Sequence, residues 1–140
     1  MRRWLVLALT LTPLVAQPAD APLQLSEGRG FVQQDGASLY RAICQGCHMA
    51  DGQGATGAGA YPALASNPRL ASAPYVMITV LRGRKGMPGF GDLLSDEQVA
   101  ELTRYVRRNL GNQFPGDVSA ADAKALRSAD AYPRRPGDPR

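Results

Sequence analysis

Cys44-Gln45-Gly46-Cys47-His48 brings together the residue types that could do chemistry: two thiols separated by two residues, and an imidazole directly after them. This C-x-x-C-H spacing reads as a c-type haem attachment site. A chain leaving helical conformation can put both thiols on one side of a porphyrin, each adding across one vinyl group. The next residue then lifts its imidazole under the iron. Cys44 and Cys47 are the only cysteines and His48 the only histidine in the chain. A tetrahedral zinc site would need a fourth ligand, and neither a second cysteine pair nor a second histidine is available. The competing reading is a disulfide or a thioredoxin-type redox dithiol, which usually sits in a βαβ pattern. No such pattern surrounds this motif.

The other face of the iron needs its own ligand. With no second histidine, methionine is the natural candidate, since a Met/His pair is a known haem arrangement that raises the potential. Met49 directly follows the proximal ligand and cannot reach round the ring. Met77 lies in an apolar helical stripe, where packing is the commoner role. Met87 sits on a Gly- and Pro-rich loop that can be shaped to deliver a sulfur. Met87 is therefore the expected ligand, and the competing reading leaves it a loop filler beside an open iron.

Positioning these groups falls to short helices. Asp35 is a good N-cap for a first helix running through Leu39, Tyr40 and Ile43 into the haem motif, with Leu39 and Ile43 on one face. Asp51 to Ala60 is a glycine-rich loop. Within it, Gly52-Gln53-Gly54-Ala55-Thr56-Gly57 matches the dinucleotide fingerprint, which requires a strand before, a helix after and an acidic residue about 20 positions on. Tyr61-Pro62 follows instead, and no carboxylate occurs between Asp51 and Asp92, so glycines that let backbone pass close to a porphyrin edge are the better reading. Asn67-Pro68 and Ser72-Ala73-Pro74 are helix starts. The second of these opens a helix from about Pro74 to Leu81, with Val76 and Val80 on one stripe, Met77 and Leu81 on the next, and a stop at Gly83. Ser95-Asp96-Glu97-Gln98 is a capping box. It begins a helix that shows Val99, Leu102, Val106 and Leu110 on one face and ends at Gly111. Ser119 caps a short helix carrying Leu126, and Tyr132 to Arg140, rich in Pro and Arg, is expected to be disordered.

The amino end reads as a targeting segment. Arg2 and Arg3 precede the apolar run Trp4 to Val15, which is shorter than the ~20 residues of a membrane-spanning helix. Small residues follow, and cleavage after Ala16 is expected. The competing reading is an uncleaved amphipathic anchor. Residues 1–16 are thus a signal peptide, 17–34 a flexible arm, 35–112 the main domain and 113–140 a carboxy-terminal extension. One domain with tails suits a chain of 140 residues. Aromatic residues make up 6% of it, a thin supply for a side-chain core that a buried porphyrin would supplement. The formal charge of +4 includes Arg2 and Arg3. Without them, 14 basic residues face 12 acidic ones, a balance of +2 that two propionates bring close to zero. The pI of 9.4 is therefore no nucleic-acid footprint. From Gly52 to Gly91 the charged residues are Arg69, Arg82, Arg84 and Lys85, and the last three stand within five residues of Met87, either a solvated group balancing the propionates or a rim that steers a redox partner.

From Gly36 to about Leu110 the chain resembles a class I cytochrome c. It looks most like the single-haem cytochrome subunits of periplasmic alcohol and aldehyde dehydrogenases. The resemblance rests on Gly36 and Tyr40, Cys44-Gln45-Gly46-Cys47-His48, Tyr61-Pro62-Ala63-Leu64, Met87-Pro88-Gly89-Phe90-Gly91 and Leu94-Ser95-Asp96-Glu97-Gln98-Val99. It implies an all-α fold of three to five short helices wrapped around one covalent haem c, with first and last helices crossing at Gly36, Tyr40 and Tyr105. It also implies that the Pro62 carbonyl accepts a hydrogen bond from His48, fixing the ring and raising its basicity.

Two functions follow. The first is a soluble periplasmic electron carrier with His48/Met87 iron. It would take single electrons from a periplasmic dehydrogenase towards a terminal oxidase or another cytochrome, with no nucleic acid and no stable membrane insertion after signal cleavage. The alternative is a haem enzyme or gas sensor with a labile distal ligand, which would need distal acid/base groups. The distal segment offers Arg82, Arg84 and Lys85 but no histidine or carboxylate, which favours the carrier.

Overall fold

A computed structural model describes residues 30–57 and 59–128. The expected signal peptide, most of the arm and the tail from Tyr132 lie outside these residues. Helix α1 spans Gly36–Leu39 and starts where the Asp35 carboxylate accepts the Ser38 amide at 2.8 Å. A π-helical turn, Tyr40–Cys44, joins it to α2, Gln45–His48. Both cysteines therefore lie on helical backbone, and the chain leaves the helix only at Met49, with φ 65°. The wider π turn is what re-aims the chain between the first cysteine and the body of α1.

The glycine loop folds into a two-stranded antiparallel ribbon, β1 (Ala55–Thr56) with β2 (Ala60–Tyr61), an element the all-α expectation did not contain. Two-residue strands give no periodicity to read, so only the turn-forming glycines hinted at them. No helix follows the ribbon directly, which removes the dinucleotide fingerprint. A Cβ on Gly54 would lie 2.2 Å from the Tyr61 carbonyl oxygen, so this glycine lets the chain before β1 approach β2.

Asn67 caps a 3₁₀ turn, Pro68–Ala71, and Ser72 caps α3, Ala73–Arg82, through the Tyr75 amide. Val76, Met77, Val80 and Leu81 are the buried residues of α3, and Gly83 ends it at φ 70°. Helix α4, Asp96–Arg108, begins with a complete capping box between Ser95 and Gln98. Asp96 and Glu97 in its first turn and Arg107 and Arg108 in its last suit the helix dipole. It ends two residues before Leu110, which sits at φ 57° beyond the Asn109 cap and folds back onto Gly52. Helix α5, Ala120–Ser128, follows Ser119, whose hydroxyl and amide bond reciprocally with Asp122.

Helix α4 is the hub, packing against α1, α3 and α5. Its Val99, Leu102 and Val106 join Leu39, Tyr40, Val80 and Leu81 in one core. Val118 and Ala123 are also fully buried, so the carboxy-terminal extension as far as α5 shares that core. At the amino end, Gln98 Nε2 donates to the carbonyls of Phe31 and Gln33 at 2.7 Å each, docking residues 31–33 on the start of α4.

Candidate haem-attachment site

The α1–α2 segment presents Cys44 half-buried against the core, Cys47 exposed and His48 buried. Its attitude is fixed where α1 crosses α4. The Tyr40 and Tyr105 rings meet at 5.4 Å, and Gly36 lies so close to α4 that a Cβ there would stand 2.4 Å from the Glu101 carbonyl oxygen. Beyond the motif, the Tyr40 hydroxyl donates to the Met49 carbonyl at 2.7 Å, and the Gly54 amide donates to the His48 carbonyl at 3.0 Å. The turn after the imidazole is thus pinned from both sides.

His48 Nδ1 lies 2.8 Å from the Pro62 carbonyl oxygen. A carbonyl can only accept, so Nδ1 carries a proton, and in the neutral ring this leaves on Nε2 the lone pair that a metal ligand requires. The segment just after Pro62 is braced by Asn67, which the sequence marks only as a helix start, and by Asn112, which sequence reasoning did not single out. Asn112, buried beyond the end of α4, donates Nδ2 to the carbonyls of Leu64 and Val106 at 2.8 Å each and accepts the Asn67 amide at 3.0 Å. Asn67 in turn donates to the Ala63 carbonyl at 2.7 Å. Arg107, also buried, donates to the carbonyls of Leu70, Ala71, Pro115 and Gly116. Neither residue carries a motif. Their polar type on or just beyond a helix whose face is otherwise apolar was the only available signal.

Met77 is 2% exposed inside the α3 stripe, so offering its sulfur to a ligand would mean dismantling the core. Met87 is half-buried, on the loop that packs against the same core as Cys44, Ile43, Leu64 and Phe90. An antiparallel bridge between Arg84 and Met87, with N–H···O distances of 3.0 Å both ways, shapes that loop. The Phe90 and Gly91 amides then donate to Val80 and Leu81 at the end of α3. Of the basic cluster, Arg84 stacks on the Tyr75 ring at 5.7 Å and donates to its hydroxyl at 2.8 Å, Arg82 donates to the Leu126 carbonyl, and Lys85 is exposed on the turn.

Burial, reinforced by the neighbouring Cys47, pushes the Cys44 thiol up to about 12. A redox dithiol needs the opposite shift to hold a thiolate at neutral pH. Among the described residues no group of three or more His, Cys, Asp or Glu could hold a bare metal ion. Two unpaired thiols with one apolar flank, beside a histidine whose tautomer is already set, fit a covalently held haem.

The family described as "Cytochrome C oxidase, cbb3-type, subunit III" matches residues 32–106. The alcohol dehydrogenase (quinone) cytochrome c subunit of Gluconobacter oxydans is 34% identical over 109 residues, covering 69% of this chain and 22% of that protein. The gluconate 2-dehydrogenase cytochrome c subunit of Pantoea cypripedii is 32% identical, covering 79% and 28%, and the fructose dehydrogenase cytochrome subunit of Gluconobacter japonicus is 37% identical, covering 67% and 22%. The chain therefore spans about a quarter of the length of these relatives, each named as the cytochrome subunit of a dehydrogenase. The match extends from the docked residues before α1 nearly to the end of α4, and takes in the attachment motif, the ribbon and the Met87 loop, so the chain belongs to this family of c-type cytochromes.

Proposed function

We propose that the chain is a periplasmic one-electron carrier with a single haem c, bound through thioethers to Cys44 and Cys47 and ligated at iron by His48 and Met87. When bound, the haem supplies a one-electron couple whose potential the His/Met pair raises. The protein supplies orientation. The Pro62 carbonyl accepts from Nδ1, so Nε2 would be the atom that ligates the iron, with its basicity raised by that hydrogen bond. Asn112 and Asn67 brace the segment that offers this carbonyl, and Tyr40 fixes the chain just after the ligand. Met87 has one thioether and a loop braced on α3, which suits a donor held in place and not a group exchanging with substrate.

The names of the relatives support a dehydrogenase as electron donor; a terminal oxidase or another cytochrome is the acceptor in this reading. No helix among the described residues is long and apolar enough to cross a membrane. The observation that carries the reading is the C-x-x-C-H motif whose histidine donates an Nδ1–H hydrogen bond to the Pro62 carbonyl oxygen at 2.8 Å.

The test is expression with export in a host competent for haem attachment. The haem should survive acid–acetone extraction, and Cys44→Ala with Cys47→Ala should abolish that retention. Met87→Ala should remove the sulfur-to-iron band at the red end of the ferric spectrum. Met77→Ala should keep the band and cost about 2–5 kcal/mol of stability as a core truncation. A colourless protein with a Cys44–Cys47 disulfide overturns the proposal, and a band that follows Met77 overturns the axial assignment.

A further inference from the structure

The strongest cluster outside the attachment site lies where α5 meets the chain that follows Met87. Arg127, in the last turn of α5, spreads its guanidinium over that chain. Its Nη1 donates to the Gly91 carbonyl, its Nη2 to the Leu94 carbonyl at 2.8 Å, and its Nε to Asp96 Oδ1 at 2.8 Å. Two of the three nitrogens are thus committed to the stretch that links Met87 to α4 and the third to the first residue of α4. The other end of the loop is held to the same helix, since Arg82 donates to the Leu126 carbonyl at 3.1 Å.

The seat is closely made. A Cβ on Gly91 would lie 2.8 Å from the Leu81 carbonyl oxygen, so the chain there cannot move inward. Outward movement is what Arg127 opposes. Helix α5 is a firm base for this, because Ala123 is fully buried, Val118 is buried just before it, and Arg104 donates to the Val118 carbonyl. Nothing in the attachment motif or the family match, which ends at residue 106, assigns a role to this helix.

We propose that Arg127 is a positioning residue for Met87, and that α5 acts as a lock on the axial loop. The inference rests on the proposal that Met87 ligates the iron. For Met87 to leave the metal, its loop must swing away from α3. Charge-assisted hydrogen bonds to Gly91 and Leu94 keep the outgoing end of that loop fixed and so lower the population of the open form. An external ligand binds only the open form, and its apparent affinity scales with that population.

The experiment titrates the ferric, haem-loaded protein with imidazole and follows the sulfur-to-iron band. Arg127→Gln should keep the band in the absence of imidazole and raise the apparent affinity about tenfold, the factor carried by one such hydrogen bond. Arg127→Lys, which keeps the charge but loses the planar fork that reaches Gly91 and Leu94 together, should fall between. Arg108→Gln serves as the control for general loosening, since it releases the same extension at Gly116 and Asp117 without touching the loop. It should leave the affinity unchanged. An unchanged affinity in Arg127→Gln, or an equal rise in Arg108→Gln, overturns the lock while leaving Met87 as ligand. Absence of the band from the wild type, or its survival in Met87→Ala, overturns the axial assignment itself.

Discussion

Gly36→Ala is a substitution whose sign separates local propensity from tertiary packing. In an isolated helix alanine is favoured over glycine by about 0.5–1 kcal/mol. At this position the added Cβ would meet the Glu101 carbonyl oxygen at 2.4 Å, the Tyr105 Cβ at 2.6 Å and the Glu101 carbonyl carbon at 3.0 Å. Comfortable carbon–oxygen approaches begin at about 3.3 Å, so the two helices must part by roughly an ångström. Neither backbone contact can be relieved by a rotamer change. Parting them loosens the packing around Leu39, Tyr40 and Tyr105, and overpacking of this kind typically costs about 1–3 kcal/mol, or more where backbone is the obstacle. The net expectation is a loss of about 2 kcal/mol. That corresponds to a fall in Tm of about 10 °C for a domain of this size. Thermal unfolding of the haem-loaded variant beside the wild type measures it. A Tm that stays the same or rises would show that the α1–α4 crossing is slack and that helix propensity decides the outcome.

Two further expectations concern pH and charge. Burial above all pushes the Tyr40 phenol from 10.0 up to about 12. The unfolded chain therefore gives up this proton first, and the stability linked to it is complete below about pH 10 and lost as pH rises towards 12. Tyr40→Phe should flatten that decline while lowering the whole curve by about 1 kcal/mol for the lost bond to Met49, and urea midpoints with equal slopes in both proteins would refute the assignment. Arg84→Glu with Lys85→Glu should slow oxidation of the reduced protein by ferricyanide about tenfold at low ionic strength and flatten its salt dependence. An unaltered salt slope would mean that these two charges do not face the route of electron exchange.

The sequence by itself determined the features that depend on neighbours along the chain. The spacing of Cys44, Cys47 and His48 points to haem c because two thioether donors and an axial ligand can be supplied within five residues. The caps at Asp35, Ser72 and Ser95 are legible because a side chain satisfies an amide two or three positions away. The α3 stripe, with Met77 in it, is legible because helical period alone fixes its face.

Tertiary structure decided whatever depends on contacts between distant segments. That Leu110 leaves α4 early and turns back is set by Gly52, which lies 58 positions before it and offers a surface without a side chain. That Asn112 braces the Pro62–Leu64 segment depends on loops brought together by the ends of two helices, and no local pattern announces it. Arg127 is the clearest case. In the sequence it is one more basic residue at a helix end, suited to the dipole. Only the packing of α5 against α3 and α4 places its guanidinium within reach of Gly91, Leu94 and Asp96. Carbonyl acceptors belong to every residue alike, so their partners cannot be read from residue type and become visible only when the chain has folded.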